Sequence, residues 1–387
     1  MFRLGLTPMM EIDVKRRWLL KAGALIPLAI VSGCGVSEGT KQPGFLTACT
    51  DNHGNHFVAK VHADGQQQFQ IPVAQRVHDS CYSSRLNCYY FFARRPGTQI
   101  TVVDAQSGNW LETIESEPGH HFYGHGVLDL EQRYLFTTEN HYAKPGAKGE
   151  GIIGIYELGS SQNAGLKRVG AFSSFGIGPH QLGLLSNGNL VVANGGLKTH
   201  PHSGRNVLNL PTMESNLSYI DSKTGALIER HVPPDSKMSI RHLAISGSDR
   251  VVFGVQYQGN TNRPVPLVGA HTFGHNVQWL PCSELDLLAL RQYTASVSVN
   301  LSGRHALVSC PRGNRVTLWR FGNHGEGEYV SHLPIKDVAG LINVGEDQWV
   351  ASTGYGEVIK LELQGDQLFR TQQARLPVRL DNHATLI

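Results

Sequence analysis

The chain ends on Asp381-Asn382-His383-Ala384-Thr385-Leu386-Ile387, and an early stretch reads Phe45-Leu46-Thr47-Ala48-Cys49. The first opens a repeat unit and stops. The second is a strand whose unit has no opening; it runs on to His56-Phe57-Val58-Ala59-Lys60-Val61 and an Ala63-Asp64-Gly65 turn. Joined, the two ends make one whole unit. Closing a ring in this way removes exposed sheet edges and is expected of a β-propeller.

Six more units lie between them, starting near residues 78, 125, 180, 242, 295 and 338. Each begins with a short strand and a polar Gly or Asp turn. A strongly apolar strand follows, then a strand ending at Asp and a Gly turn. His180-Gln181-Leu182, the Ser186-Asn187-Gly188 turn, Leu190-Val191-Val192-Ala193 and Tyr219-Ile220-Asp221 trace one unit. Spacing of roughly 40–60 residues fits four-stranded blades with loop insertions. Helical periodicity is nearly absent after residue 34, and the 43 glycines punctuate short β-branched and aromatic runs. The expected fold is all-β: a seven-bladed β-propeller over residues 45–387, with ring closure by the N- and C-terminal strands. A sandwich or an open solenoid leaves the split unit unexplained. Residues 194–209 break the strand alternation, and a long loop of this kind commonly carries function or covers a site.

Five histidines fall in one register of that repeat. His78, His125, His180, His242 and His383 each stand at the start of an inner strand; the other two units carry Ala295 and Val338 or Ala339 there. Equivalent inner-strand positions of a propeller face the central channel, so five imidazoles converge near one mouth. Taken singly, such a histidine most often bonds a backbone carbonyl. Five together are candidate metal ligands, because neutral imidazole suits Zn, Cu, Fe and Ni, and five protonated rings would repel one another. A seven-bladed channel is wide, so opposite rings are expected too far apart to share one ion at about 2.0–2.1 Å per bond. Three neighbours would then hold a metal, or the ring would hold a larger ligand such as a metal chelate or haem. His200, Arg205, Arg241 and Tyr257 are the candidate cofactor contacts, with Tyr123, Glu139, His141 and Gln256 nearby and His202 in the long loop. His53, His56, His271 and His275 sit in Gly-rich or Pro/Gly-rich segments and are expected in solvent.

The N-terminus reads as an export signal. Arg16-Arg17 precedes the apolar run Ala22 to Val31, and no acid occurs between Asp13 and Glu38. The paired arginines point to twin-arginine translocation, and the run is shorter than the ~20 residues a membrane span needs. Val31-Ser32-Gly33-Cys34 resembles a lipobox, which would place a lipid on Cys34 as the only membrane contact. The expected division is a signal over residues 1–33, a linker over 34–44 and the propeller beyond, in the periplasm. Twin-arginine substrates cross folded, one reason being a metal loaded beforehand. The net charge of +3, with 17% charged residues, argues against a nucleic-acid partner. Without Cys34 the chain has Cys49, Cys81, Cys88, Cys282 and Cys310. Cys81 and Cys88 are either a hairpin disulfide or two buried thiols. No H-E-x-x-H and no P-loop is present.

Further motifs carry a family resemblance. They are Phe122-Tyr123-Gly124-His125-Gly126, Gly176-Ile177-Gly178-Pro179-His180, Asn194-Gly195-Gly196-Leu197-Lys198-Thr199-His200-Pro201, Gly204-Arg205, Ser239-Ile240-Arg241-His242-Leu243, Gln256-Tyr257-Gln258-Gly259 and Asp381-Asn382-His383. Together they resemble exported periplasmic propellers known as a domain of unknown function, encoded beside imelysin-like iron-uptake lipoproteins and a di-haem peroxidase-like protein. His202 stands where that family more often has an acid. The resemblance implies the fold, the export route and a link to iron, with imelysin-like proteins as partners; it implies no established activity. Three functions are in view: handling of iron or copper in uptake or delivery, a metal-dependent oxidoreductase or hydrolase, and a scaffold for partner lipoproteins. The inner register's lack of acids speaks against a lactonase-like calcium site.

Overall fold

Short strands separated by tight turns pair here into seven four-stranded antiparallel sheets, each a blade. The computed structural model describes residues 43–142, 151–160, 163–204, 206–322 and 325–387. The export signal, Cys34 and most of the 34–44 linker lie outside the described residues. Among the described residues, no helix is long and apolar enough to cross a membrane.

Blade 1 joins the chain ends. Its inner strand, Arg379–Leu386, pairs antiparallel with Gly44–Thr50, setting Phe45 opposite Leu386 and Cys49 opposite Leu380. His56–His62 and Gln67–Val73 complete it. The next inner strands are Val77–Ser83 in blade 2, His120–Leu128 in blade 3, Pro179–Leu184 in blade 4 and Met238–Ile245 in blade 5. Val297–Val299 and Val338–Gly345 open blades 6 and 7. Neighbouring inner strands touch one another around the axis.

The amino-acid pattern changes from axis to rim. The second strand of blade 2, Cys88–Ala93, is buried at every residue because neighbouring blades cover both its faces. The outer strand Trp110–Glu115 alternates exposed and half-buried positions, since one face meets water. The core therefore lies between blades. Leu307, Leu318, Val338, Trp349 and Leu361 form one such cluster across blades 6 and 7. A short helix, Glu284–Ala289, breaks the β pattern between blades 5 and 6, and the Ser283 side chain accepts from Asp286 N to cap it.

The cysteines resolve as thiols. Cys88 lies opposite Ser83 and Cys81 opposite Tyr90, so the two do not face each other across the hairpin. All five described cysteines are free. Burial pushes Cys88 up to about 11 and Cys49, Cys282 and Cys310 up to about 12. Thiols held protonated in this way are poor nucleophiles and poor ligands.

Candidate metal centre

The inner strands are irregular where the histidines sit. In blade 2 Val77 pairs with Ala93 and Asp79 with Phe92, so His78 has no partner of its own. His180 is likewise skipped between Pro179 and Gln181, and Arg241 between Ile240 and His242. In blade 3 the register breaks between Phe122 and Gly126, around His125. In blade 1 it breaks between Leu380 and Ala384, around His383. Bulges bend a strand and re-aim its side chains. Here they occur at or next to the histidine in each of these five blades. Gly124 makes one of them feasible: its φ is +107°, and a Cβ there would lie 2.7 Å from His78 Cβ.

The five rings meet on the axis. Centroid separations are 4.6 Å for His78–His383 and His125–His383, 4.5 Å for His180–His242 and 4.8 Å for His242–His383. His78 and His242 lie across the ring at 6.4 Å. Rings across the channel, such as His78 and His242, share no cluster, and neighbouring rings gather in threes, as expected of a wide channel. Two overlapping triads result, His78/His125/His383 and His125/His180/His242. Within each triad, one nitrogen from every ring lies within 4.8 Å of the others. His78, His125, His242 and His383 are buried, and His180 is partly so.

Two carboxylates orient the set, each serving the neighbouring blade. Asp79 of blade 2 accepts from His125 Nδ1 of blade 3 at 2.7 Å. Asp381 of blade 1 accepts from His78 Nδ1 of blade 2 at 3.1 Å, and also from Arg76 Nε at 2.6 Å and Arg94 Nη1 at 3.2 Å. A carboxylate only accepts, so it fixes the proton on Nδ1 and leaves Nε2 as the donor toward the axis. The inner strands therefore do carry acids, but these are turned to the imidazoles. Burial raises the Asp79 carboxyl, yet the hydrogen bond from His125 helps to outweigh it and hold it below its ordinary value.

Four imidazole nitrogens remain buried with no hydrogen-bond partner among the described residues: His125 Nε2, His180 Nδ1, His242 Nδ1 and His383 Nε2. Burial, then the neighbouring rings and arginines, keeps His78, His180 and His242 well below the ordinary histidine value, and brings His383 down to about 4. These rings are neutral near pH 7, the state in which imidazole binds metal.

A cavity of about 250 Å³ lies over the ring, touching His78, His180 and His242. Leu197 and Val207 line it, so the 194–209 loop lies on this side of the propeller. Tyr123 also lies at the cavity, with the Arg95 guanidinium over its ring.

Residues 71–387 match one family model, described as a protein of unknown function, DUF1513. The chain belongs to that family. No curated protein matches it in sequence. Solved propellers share its fold. The periplasmic gluconolactonase of Pseudomonas aeruginosa is 12% identical with a TM-score of 0.59, over 88% of this chain and 99% of its own. A hypothetical selenium-binding protein from Sulfolobus tokodaii is 11% identical with a TM-score of 0.63, over 89% and 93%. Kuenenia stuttgartiensis hydrazine synthase is 13% identical with a TM-score of 0.58, over 90% and 100%. At these identities the likeness shows the fold alone.

In this DUF1513 member the remaining candidates separate. Arg241, Gln256 and Tyr257 line the cavity. The Tyr257 hydroxyl donates to Asp235 Oδ2 at 3.0 Å. His200 packs edge-on to Tyr142 and stacks on His202, and its Nδ1 accepts from His202 N. Arg205 lies outside the described residues. Glu139 is buried in blade 3, held by His120, Arg168, Thr137 and Tyr156. His53 and His275 are exposed, and His56 pairs with Thr50.

His271 reverses its expectation. It ends the strand Val268–His271 and is only 2% exposed, because its neighbour on the sheet is the core of blade 5. It forms a second histidine–carboxylate cluster with His231 and Glu229. Both its ring nitrogens are already engaged, by the Tyr219 hydroxyl at 2.5 Å and the His275 carbonyl at 2.8 Å. Sequence reasoning missed Asp79, Asp381, Arg94, Arg95 and Arg312. A signal existed for the first two, which lie one and two residues from register histidines. Their partners belong to other blades, so the pairing was invisible along the chain.

Proposed function

We propose that this protein binds a transition-metal ion, iron before copper, through His78, His125, His180, His242 and His383 at the propeller mouth. The observation that carries the reading is the set of four buried imidazole nitrogens with no partner among the described residues. Buried polar atoms without partners are rare and call for an explanation; here they belong to rings that gather in two triads. The ligand type is right for iron, copper or zinc, and Asp79 and Asp381 supply the carboxylate–histidine pairing usual behind metal-bound imidazole. In this reading residues 1–33 export the chain by the twin-arginine route and Cys34 carries a lipid. The propeller then handles metal in the periplasm beside imelysin-like iron-uptake proteins.

A second reading is enzymatic. The cavity over the ring leaves room for a substrate next to the metal, and Tyr123 lies at its wall. An oxidoreductase or hydrolase would use the ion as a Lewis acid or redox centre. Metal analysis of protein purified from the periplasm decides the shared claim. The parent retains a transition metal, and the His125→Ala/His180→Ala variant loses it with unchanged circular dichroism. A parent free of metal at every metal supplied ends both readings. Turnover assays on metal-loaded protein, with lactones and with redox dyes, then divide them.

A further inference from the structure

The cavity over the histidines is cationic and lacks an acid. Arg94, Arg95, Arg241 and Arg312 line it, and no Asp or Glu does. Arg94 is paired with Asp381. The other three have no carboxylate partner among the described residues. Arg241 is 6% exposed, and its Nε donates to Ser239 Oγ at 2.9 Å. The charged groups that bear on it are further arginines and two tyrosines, and burial lowers it to about 10. Gly195 leaves it space, since a Cβ there would stand 3.2 Å from Arg241 Nε. Arg95 reaches Thr199 Oγ1 at 3.5 Å and lies over the Tyr123 ring. Arg312 stacks on Tyr293 at 4.2 Å.

A buried guanidinium without a counter-charge is costly to keep. Arg241 is such a group, and with half-buried Arg95 and exposed Arg312 at the same small cavity it defines a site for negative charge, because the planar fork of arginine matches carboxylate and phosphate oxygens. We infer that the cavity binds a small, multiply charged oxyanion, a polycarboxylate or a phosphate, as the outer ligand of the ring-bound metal. This rests on the metal reading of the histidines. The arginines hold the anion's outer oxygens, and an inner oxygen faces the metal. Leu197 and Val207 also line the cavity, and its volume of about 250 Å³ favours a compact ligand over an extended one.

The test is isothermal titration calorimetry on the metal-loaded full chain, with tricarballylate and inorganic phosphate as separate probes. One of them binds saturably at a single site, and which one identifies the class. Arg241→Gln, compared at equal metal occupancy, weakens that binding at least tenfold. Arg312→Gln lies at the exposed rim, where folding does not depend on it, and weakens binding severalfold; it keeps the test decisive if the buried variant does not fold. A chain that takes up metal but neither probe, or variants that bind like the parent, overturns the anion site alone. A chain that takes up no metal overturns the ring reading and, with it, the anion's role as a metal ligand.

Discussion

His125 shows how one residue is prepared for a ligand. Its Nδ1 is committed to Asp79, its Nε2 is buried and unpartnered, and its neighbours are other imidazoles. Removing the carboxylate leaves the ring free to turn and to change tautomer. Asp79→Asn is therefore expected to cost 10–100-fold in metal affinity, read by competition with a chromogenic chelator, while the fold is kept; an unchanged affinity would show that the pair is merely structural. The metal-free protein has a pH signature of the same origin. His383 titrates near 6.5 when ordinary and near 4 here, through burial first and then the unfavourable company of the His125 ring. Between those values the unfolded chain binds more protons than the native one. The stability from neutral His383 is thus complete above about pH 6.5 and is lost as the pH falls toward 4. His78, His180 and His242 shift in the same direction. The urea midpoint of metal-free protein should drop between neutral pH and about pH 4.5, and metal should reduce the drop. A midpoint independent of pH in that window would contradict the neutral ring.

At the scale of the element, the bulged inner strand is the working part. Each unit's alternating pattern was legible as strand, turn and strand, since period-two apolarity and Gly turns are local properties. The bulges were not, because a bulge is a mismatch between two strands and neither strand encodes it alone. Gly124 is the position where the bulge constrains the sequence most. Gly124→Ala forces a side chain into φ +107° and against His78 Cβ at 2.7 Å. The expected loss is about 1–3 kcal/mol, seen as a lower thermal midpoint, together with weaker metal binding because His78 and His125 move. A variant as stable and as metal-competent as the parent would show that the bulge relaxes without cost. The same reasoning explains the His271 error. Its Pro/Gly-rich surroundings read as loop, but Val268–His271 is the third strand of blade 5 and its last residue packs inward.

For the whole molecule, ring closure ties folding to the site. Arg379–Leu386 is the inner strand of blade 1, and the same strand brings Asp381 and His383 to the axis. A chain ending at residue 378 leaves the edge of Gly44–Thr50 open and removes a ligand and an orienting carboxylate together. Size-exclusion chromatography should find it aggregated and without cooperative unfolding. Moving residues 379–387 to precede Gly44 restores the blade with a new connection, as the ends already meet through Ile387 N donating to Gly44 O. That permutant is expected to be monomeric and to bind metal. A truncated chain that folds like the parent would show that closure is dispensable.

The repeat, the split unit and the histidine register are properties of residue order, and the amino-acid sequence alone was enough to establish the all-β ring and the five-histidine set. Short-range patterning decides strands, and a fixed repeat decides what equivalent strands share. How near the five rings come to one another, which carboxylate holds which imidazole, and how three arginines without acids gather above them were decided only by the folded ring. Those contacts join blades tens to hundreds of residues apart, as between His78 and Asp381, and their distances depend on bulges formed between paired strands.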